Sequence, residues 1–208
     1  ESTESSIVKE KKKPRAGLTL IEGDHIDASF AQILRTNASV QDLGSSWTGF
    51  GKSANQLTDD DMEKLTWINV YNRNLTSIKG VEYAKNLNEL DCRQNNLLTV
   101  NLTSLTELET LLVGNVSSHA DRPLKELDLS TCTSLKSLRI EWSMIRSLDT
   151  SKNLKLEDVY LIYSPIEFIN FSHNIKLQSI YSNRCRIYDL TSLYGLHELT
   201  TIDIINQE

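Results

Sequence analysis

The sequence predicts a solenoid, a stack of short coils whose strands align into one parallel β-sheet. Two observations predict it. Leu135, Leu156 and Leu177 stand 21 residues apart, and self-similarity at a fixed period of this size marks a repeat architecture. Behind each of these leucines, apolar residues return at relative positions 4, 6, 11 and 14. They are Leu138, Ile140, Ile145 and Leu148 in the fourth coil, and Val159, Leu161, Ile166 and Ile169 in the fifth. In the sixth they are Ile180, Ile187 and Leu190, with Ser182 as an exception. The 4/6 alternation is a short strand with one buried face, and positions 11 and 14 begin a second extended segment before the chain turns back. One coil cannot bury its own apolar face, so neighbours must stack into a continuous core.

From the N-terminus, residues 1–17 (ESTESSIVKEKKKPRAG) are polar and charge-blocked, and read as a tail or tether. The basic run Lys9–Arg15 reads as a solvated leader, with phosphate or anionic lipid as the alternative contact. Residues 18–26 suit a short strand. Asp27–Thr36 reads as a helix: Phe30, Ile33 and Leu34 share a face, and Asp27 is placed to cap it. Residues 37–56, rich in Gly, Ser and Asn, read as a loop pinned by Trp47 and Phe50. Thr58 and Asp61 form a capping box, with Asp59 and Asp60 at the positive end of a second helix. The three aspartates lack the glycine and distal glutamate of an EF-hand loop. Residues 18–64 are therefore expected to form a helical cap over the open end of the repeat core.

The repeat domain is expected over residues 65–208, as about six coils and a final strand. The first coil carries Leu65, Ile68, Val70, Leu75 and Ile78; the second Leu87, Leu90, Cys92, Leu97 and Val100. The third carries Leu108, Leu111 and Val113, then about six extra residues within 114–123, then Leu124 and Leu127. Leu199, Ile202 and Ile204 end the chain. These last three would leave an open apolar end, expected to be covered by self-association or by the tail folding back.

The strand half of each coil resembles the leucine-rich repeat, L-x-x-L-x-L-x-x-N/C-x-L. At its N/C position stand Arg73, Asn95, Ser143, Ser164 and Cys185, of which Asn95 and Cys185 match. The second half resembles the x-L-D-L-S-K-N-x-x-L pattern of bacterial surface leucine-rich-repeat proteins: LDLSTCTSL, LDTSKNLKL and INFSHNIKL. Asp128, Asp149 and Asn170 form one ladder, and Ser130, Ser151 and Ser172 another; both read as turn-satisfying and structural. Ile26, Asp27, Ala28 and Phe30 resemble the cap of internalin-like proteins, and residues 75–90 their first repeat, with Gly80 ending its extended segment. The resemblance implies an α/β-type right-handed superhelix. Its parallel sheet lies on the concave face and short extended or turn segments on the convex face. It also implies export and display at a bacterial cell surface, as a lipoprotein anchored upstream of Glu1 or as a secreted protein.

The net charge of −6 argues against nucleic-acid binding, which calls for a basic face. Cys92, Cys132 and Cys185 fall at different places in different coils without a CxxC pair, and read as three free, mostly buried thiols. No metal and no cofactor is expected. No hydrolase, P-loop, zincin or dinucleotide fingerprint occurs. His119 and Asp121 lack a nucleophile spaced to join them, so the chain does not read as an enzyme.

Alternation also gives the outward columns. Trp142, Tyr160, Tyr163 and Tyr181 cluster with Arg139, Glu141 and Arg184 over coils four to six, and Trp67 and Tyr71 form a smaller patch near the cap. Aromatic residues and arginine are the types that anchor binding surfaces. The expected function is non-catalytic recognition of a protein partner on the concave face. A glycan stacked on Trp142 and the tyrosines is the alternative, and a structural spacer the third reading. A glycan site would present rings flat to solvent. A protein site would present a broad patch with Ile162 and Ile205 exposed.

Overall fold

The computed structural model describes residues 17–36, 49–117 and 122–206. It is a parallel-strand solenoid. Seven strands form one sheet in chain-ordered register: β1 (Trp67–Asn69), β2 (Glu89–Asp91), β3 (Thr110–Gly114), β4 (Ser137–Glu141), β6 (Asp158–Ile162), β8 (Ser179–Asn183) and β9 (Thr201–Ile205). The return segments carry a two-stranded sheet, β5 (Ser147–Leu148) with β7 (Phe168–Ile169), and 3-10 turns at Val81–Tyr83 and Thr191–Leu193. Leu65, Leu87, Leu108, Leu135, Leu156 and Leu177 are all buried in one core running from Leu20 to Leu196. Positions 4 and 6 of the first six coils are buried too, Ser182 included.

Helix α1 (Ala28–Thr36) is capped by Asp27, whose Oδ1 accepts from the Phe30 amide at 2.9 Å. Helix α2 (Asp59–Met62) opens with the Thr58–Asp61 capping box. Residues 18–26 do not form a strand. They make single bridges, Thr19 to Thr58 and Glu22 to Ile26, around a turn at Gly23. That turn reverses the chain before a ladder can extend. Phe50 is partly buried against the core, and Trp47 lies outside the described residues. The N-terminal segment seats on coil one at Gly80. There φ is +101°, and an added Cβ would stand 2.6 Å from Ile26, so both backbone and packing require glycine.

The N/C ladder is satisfied coil by coil. Asn95 accepts from the amides of Arg73 and Leu75 and donates to the carbonyls of Val70, Cys92 and Arg93. Ser143 and Ser164, too short to span the coil alone, bond to each other at 2.9 Å. Cys185 Sγ donates to Leu161 O at 3.4 Å. The third coil uses Asn115, one residue earlier than the repeat spacing expects, because the chain leaves the coil there into the insertion. Its side chain bonds Leu97 O and the Leu124 amide across the inserted residues. On the return turns, Asp128, Asp149 and Asn170 each accept from the amide two residues on. Asn153 and Asn174, in register with Cys132, bind carbonyls of the coil before.

All three cysteines are free and buried. Burial pushes the Cys132 thiol up to about 11 and the Cys92 thiol higher still. Two expected core positions fail in the last coils. Leu190 is 44% exposed, because the chain enters a 3-10 turn there instead of pairing with β7. Ile202 of β9, the edge strand of the described sheet, is 52% exposed. Among the described residues no helix is long and apolar enough to cross a membrane.

Candidate recognition surface

The strand register places the outward residues in columns. One runs Trp67, Glu89, Thr110, Ser137, Asp158, Ser179, Thr201, and the next Asn69, Asp91, Leu112, Arg139, Tyr160, Tyr181, Asp203. In the third column Gly114 stands beside Glu141, Ile162, Asn183 and Ile205. Gly114 decides what that column can do. An added Cβ would sit 2.1 Å from Glu141 O. With no side chain there, Arg93 of coil two reaches past coil three to Glu141 of coil four.

The result is a charge chain across the sheet. Arg93 grips Asp91 through Nε (3.0 Å) and Nη2 (2.7 Å), and Nη1 reaches Glu141 at 3.2 Å. Arg139 donates to the same Glu141 carboxylate. Asp91 and Glu141 are buried although they face outward, covered by the guanidinium groups that pair with them. The hydrogen bonds that Arg93 donates to Asp91 hold its guanidinium protonated at any working pH, against the opposing effect of burial. Arg93 also lies over the Tyr71 ring at 5.4 Å and Arg139 over Tyr160 at 5.7 Å, and Tyr160 leans on Tyr181 at 6.2 Å. Trp67 is half-buried at the first-coil end of the face.

The structure divides the predicted cluster in two. Trp142, Tyr163 and Arg184 are not on the sheet face. Each is the first residue past its strand, in left-handed conformation at φ 52°, 50° and 52°, and the turn swings it onto the rim between the two sheets. There Trp142 and Tyr163 stack at 3.8 Å with planes 9° apart. Arg122, from the end of the insertion, covers Trp142 at 4.7 Å and donates to Tyr163 O at 3.1 Å; Arg184 covers Tyr163 at 5.4 Å. The order along the rim is Arg122, Trp142, Tyr163, Arg184. Beside it opens a cavity of about 360 Å³, walled by this stack together with Arg146 and Arg186. Arg146 and Arg186 share the carboxylate of Glu167, at 3.0 and 3.3 Å.

Period-two alternation places Asp91 and Gly114 in the outward columns, but neither residue type drew them into the predicted cluster. Sequence reasoning missed Arg122, Arg146 and Arg186, which follow the turns and not the strands. Neither the repeat period nor the strand alternation marks them. His119 and Asp121 lie outside the described residues. His173 stands on a return turn, 3.3 Å from Ser172 Oγ. Among the described residues no group of three or more His, Cys, Asp or Glu could hold a metal ion.

No protein-family model matches the chain, and no curated protein matches it. Solved structures do. Internalin C2 of Listeria monocytogenes superposes with TM-score 0.70 at 22% identity, over 94% of this chain and 81% of that one. A leucine-rich-repeat protein of Leptospira interrogans aligns with TM-score 0.49 at 13% identity, over 70% of this chain and 44% of that one. The fold is the internalin-like leucine-rich-repeat solenoid.

Proposed function

We propose that the chain is a non-catalytic recognition module that holds a protein partner on the open face of its seven-stranded sheet. The observation that carries this reading is the pre-formed chain of paired charges and tyrosines from Tyr71 to Tyr181. Side chains already locked by neighbours lose little freedom on binding, which is how rigid surfaces gain affinity. Around them the half-buried Leu112 and Ile162 and the exposed Ile205 supply apolar area. The face carries Glu89, Asp91, Glu141, Asp158 and Asp203 against Arg93 and Arg139, so the matching patch on the partner is basic. By analogy of fold, the protein works outside the cell, at a bacterial surface or secreted. A glycan stacked on Trp142 is the weaker reading, because Tyr163 and Arg122 cover that ring.

The test uses immobilised chain, wild type beside an Arg139→Ala/Tyr160→Ala variant, challenged with extracts of surface and secreted proteins. A partner retained by the wild type and lost by an equally folded variant supports the reading. Equal retention by both places recognition elsewhere.

A further inference from the structure

Four of the nine arginines in this acidic chain, Arg122, Arg146, Arg184 and Arg186, wall one cavity on the rim. Each guanidinium is held in place: Arg122 over Trp142, Arg184 over Tyr163, and Arg146 and Arg186 on Glu167. The volume, about 360 Å³, is within the range of small-ligand sites. Guanidinium groups present planar forks matched to oxyanions.

The repeat itself brings these side chains together. A left-handed position recurs along the solenoid, filled by Asn72, Gln94 and Asn206 in coils one, two and seven and by Trp142, Tyr163 and Arg184 in coils four to six, so two aromatic rings and an arginine stand side by side on the rim.

We infer that the rim cavity is a second ligand site, separate from the sheet face, for a small saccharide bearing a sulfate or carboxylate group. The arginines hold the oxyanion, and Met144 and Pro165 on the cavity wall meet the apolar face of the sugar. Two observations favour a saccharide over a peptide or a larger polyanion. The amides of Trp142, Met144, Tyr163, Arg184 and Arg186 all donate within the solenoid, and Pro165 has no amide proton, so the rim offers a peptide no strand edge to pair with. The neighbouring sheet face carries five carboxylates against two arginines, which repels an extended acidic chain while leaving the local field of the cavity to a small anion.

The test is calorimetric titration of the full chain at low and at physiological salt. The probes are a monosulfated disaccharide, its desulfated counterpart, inorganic sulfate and a phosphotyrosyl peptide. The expected result is saturable binding of the sulfated disaccharide, weakened by salt, with the desulfated sugar and inorganic sulfate each at least roughly tenfold weaker. Arg146→Gln and Arg122→Gln should each weaken it by roughly tenfold, Arg146→Gln while leaving the melting curve in place, and Arg139→Ala should leave it unchanged. Arg146 is mostly exposed, so its loss should not unfold the coil. No saturable binding at millimolar sugar overturns the inference, as does equal binding of the desulfated sugar, tighter binding of the peptide, or inorganic sulfate matching the sulfated disaccharide. A loss of binding in Arg139→Ala that matches the rim variants would also overturn it.

Discussion

The sheet face and the rim use the same residue types in opposite ways. On the face, Arg93 and Arg139 converge on carboxylates from their own sheet, Asp91 and Glu141, and the charges cancel where they stand. On the rim, Arg122 and Arg184 cover aromatic rings, and Arg146 and Arg186 divide one acid. The face is therefore a finished, rigid surface, and the rim gathers four guanidinium groups around one cavity. Being arginine and aromatic does not define a site; what pairs with those side chains does.

Variants can break or sharpen this contrast. Gly114→Ala should have the largest effect. Its Cβ would meet Glu141 O, so β3 and β4 must part, and overpacking of this kind costs about 2–3 kcal/mol. A urea titration should show the loss, and the Arg93–Glu141 link should go with it. Glu141→Gln comes next. Removing a buried carboxylate from two guanidinium groups should cost about 2 kcal/mol, read in the same titration. The equivalent change on the rim, Glu167→Gln, should cost less than about 0.5 kcal/mol, because that acid is partly exposed. It should also tighten sulfated-sugar binding, since it frees the two arginines it bridges.

Acid should act on the N-terminal segment through Asp61. Burial raises the Asp61 pKa, but hydrogen bonds from Lys52, Lys64 and Thr58 outweigh it and hold the group below its ordinary 3.8. A lowered folded pKa contributes stability above the unfolded value and loses it as pH falls through the folded one. Hydrogen exchange should therefore quicken around Thr58–Met62 as pH falls below 3.8.

The sheet columns were legible because side-chain direction alternates rigidly along a strand, so once the leucines fix the inward positions the outward ones follow. The register Arg139, Tyr160, Tyr181 bears this out. The rim was not legible, because one residue at positive φ ends the alternation. Trp142 and Tyr163 stand just beyond the outward columns on paper and are turned off the sheet in space. Asn115 was hidden for a related reason, since the insertion shifts the coil's exit by one residue. Leu190 looked inward by spacing, yet its segment winds into a 3-10 turn instead of pairing with β7.

The measurement that most directly tests the separation of the two surfaces is hydrogen exchange with and without saturating sulfated disaccharide. Protection confined to residues 142–146, 163–166 and 184–186, with the amides of β4, β6 and β8 unchanged, is the predicted result. Protection spread across those strands, or none anywhere, would contradict it.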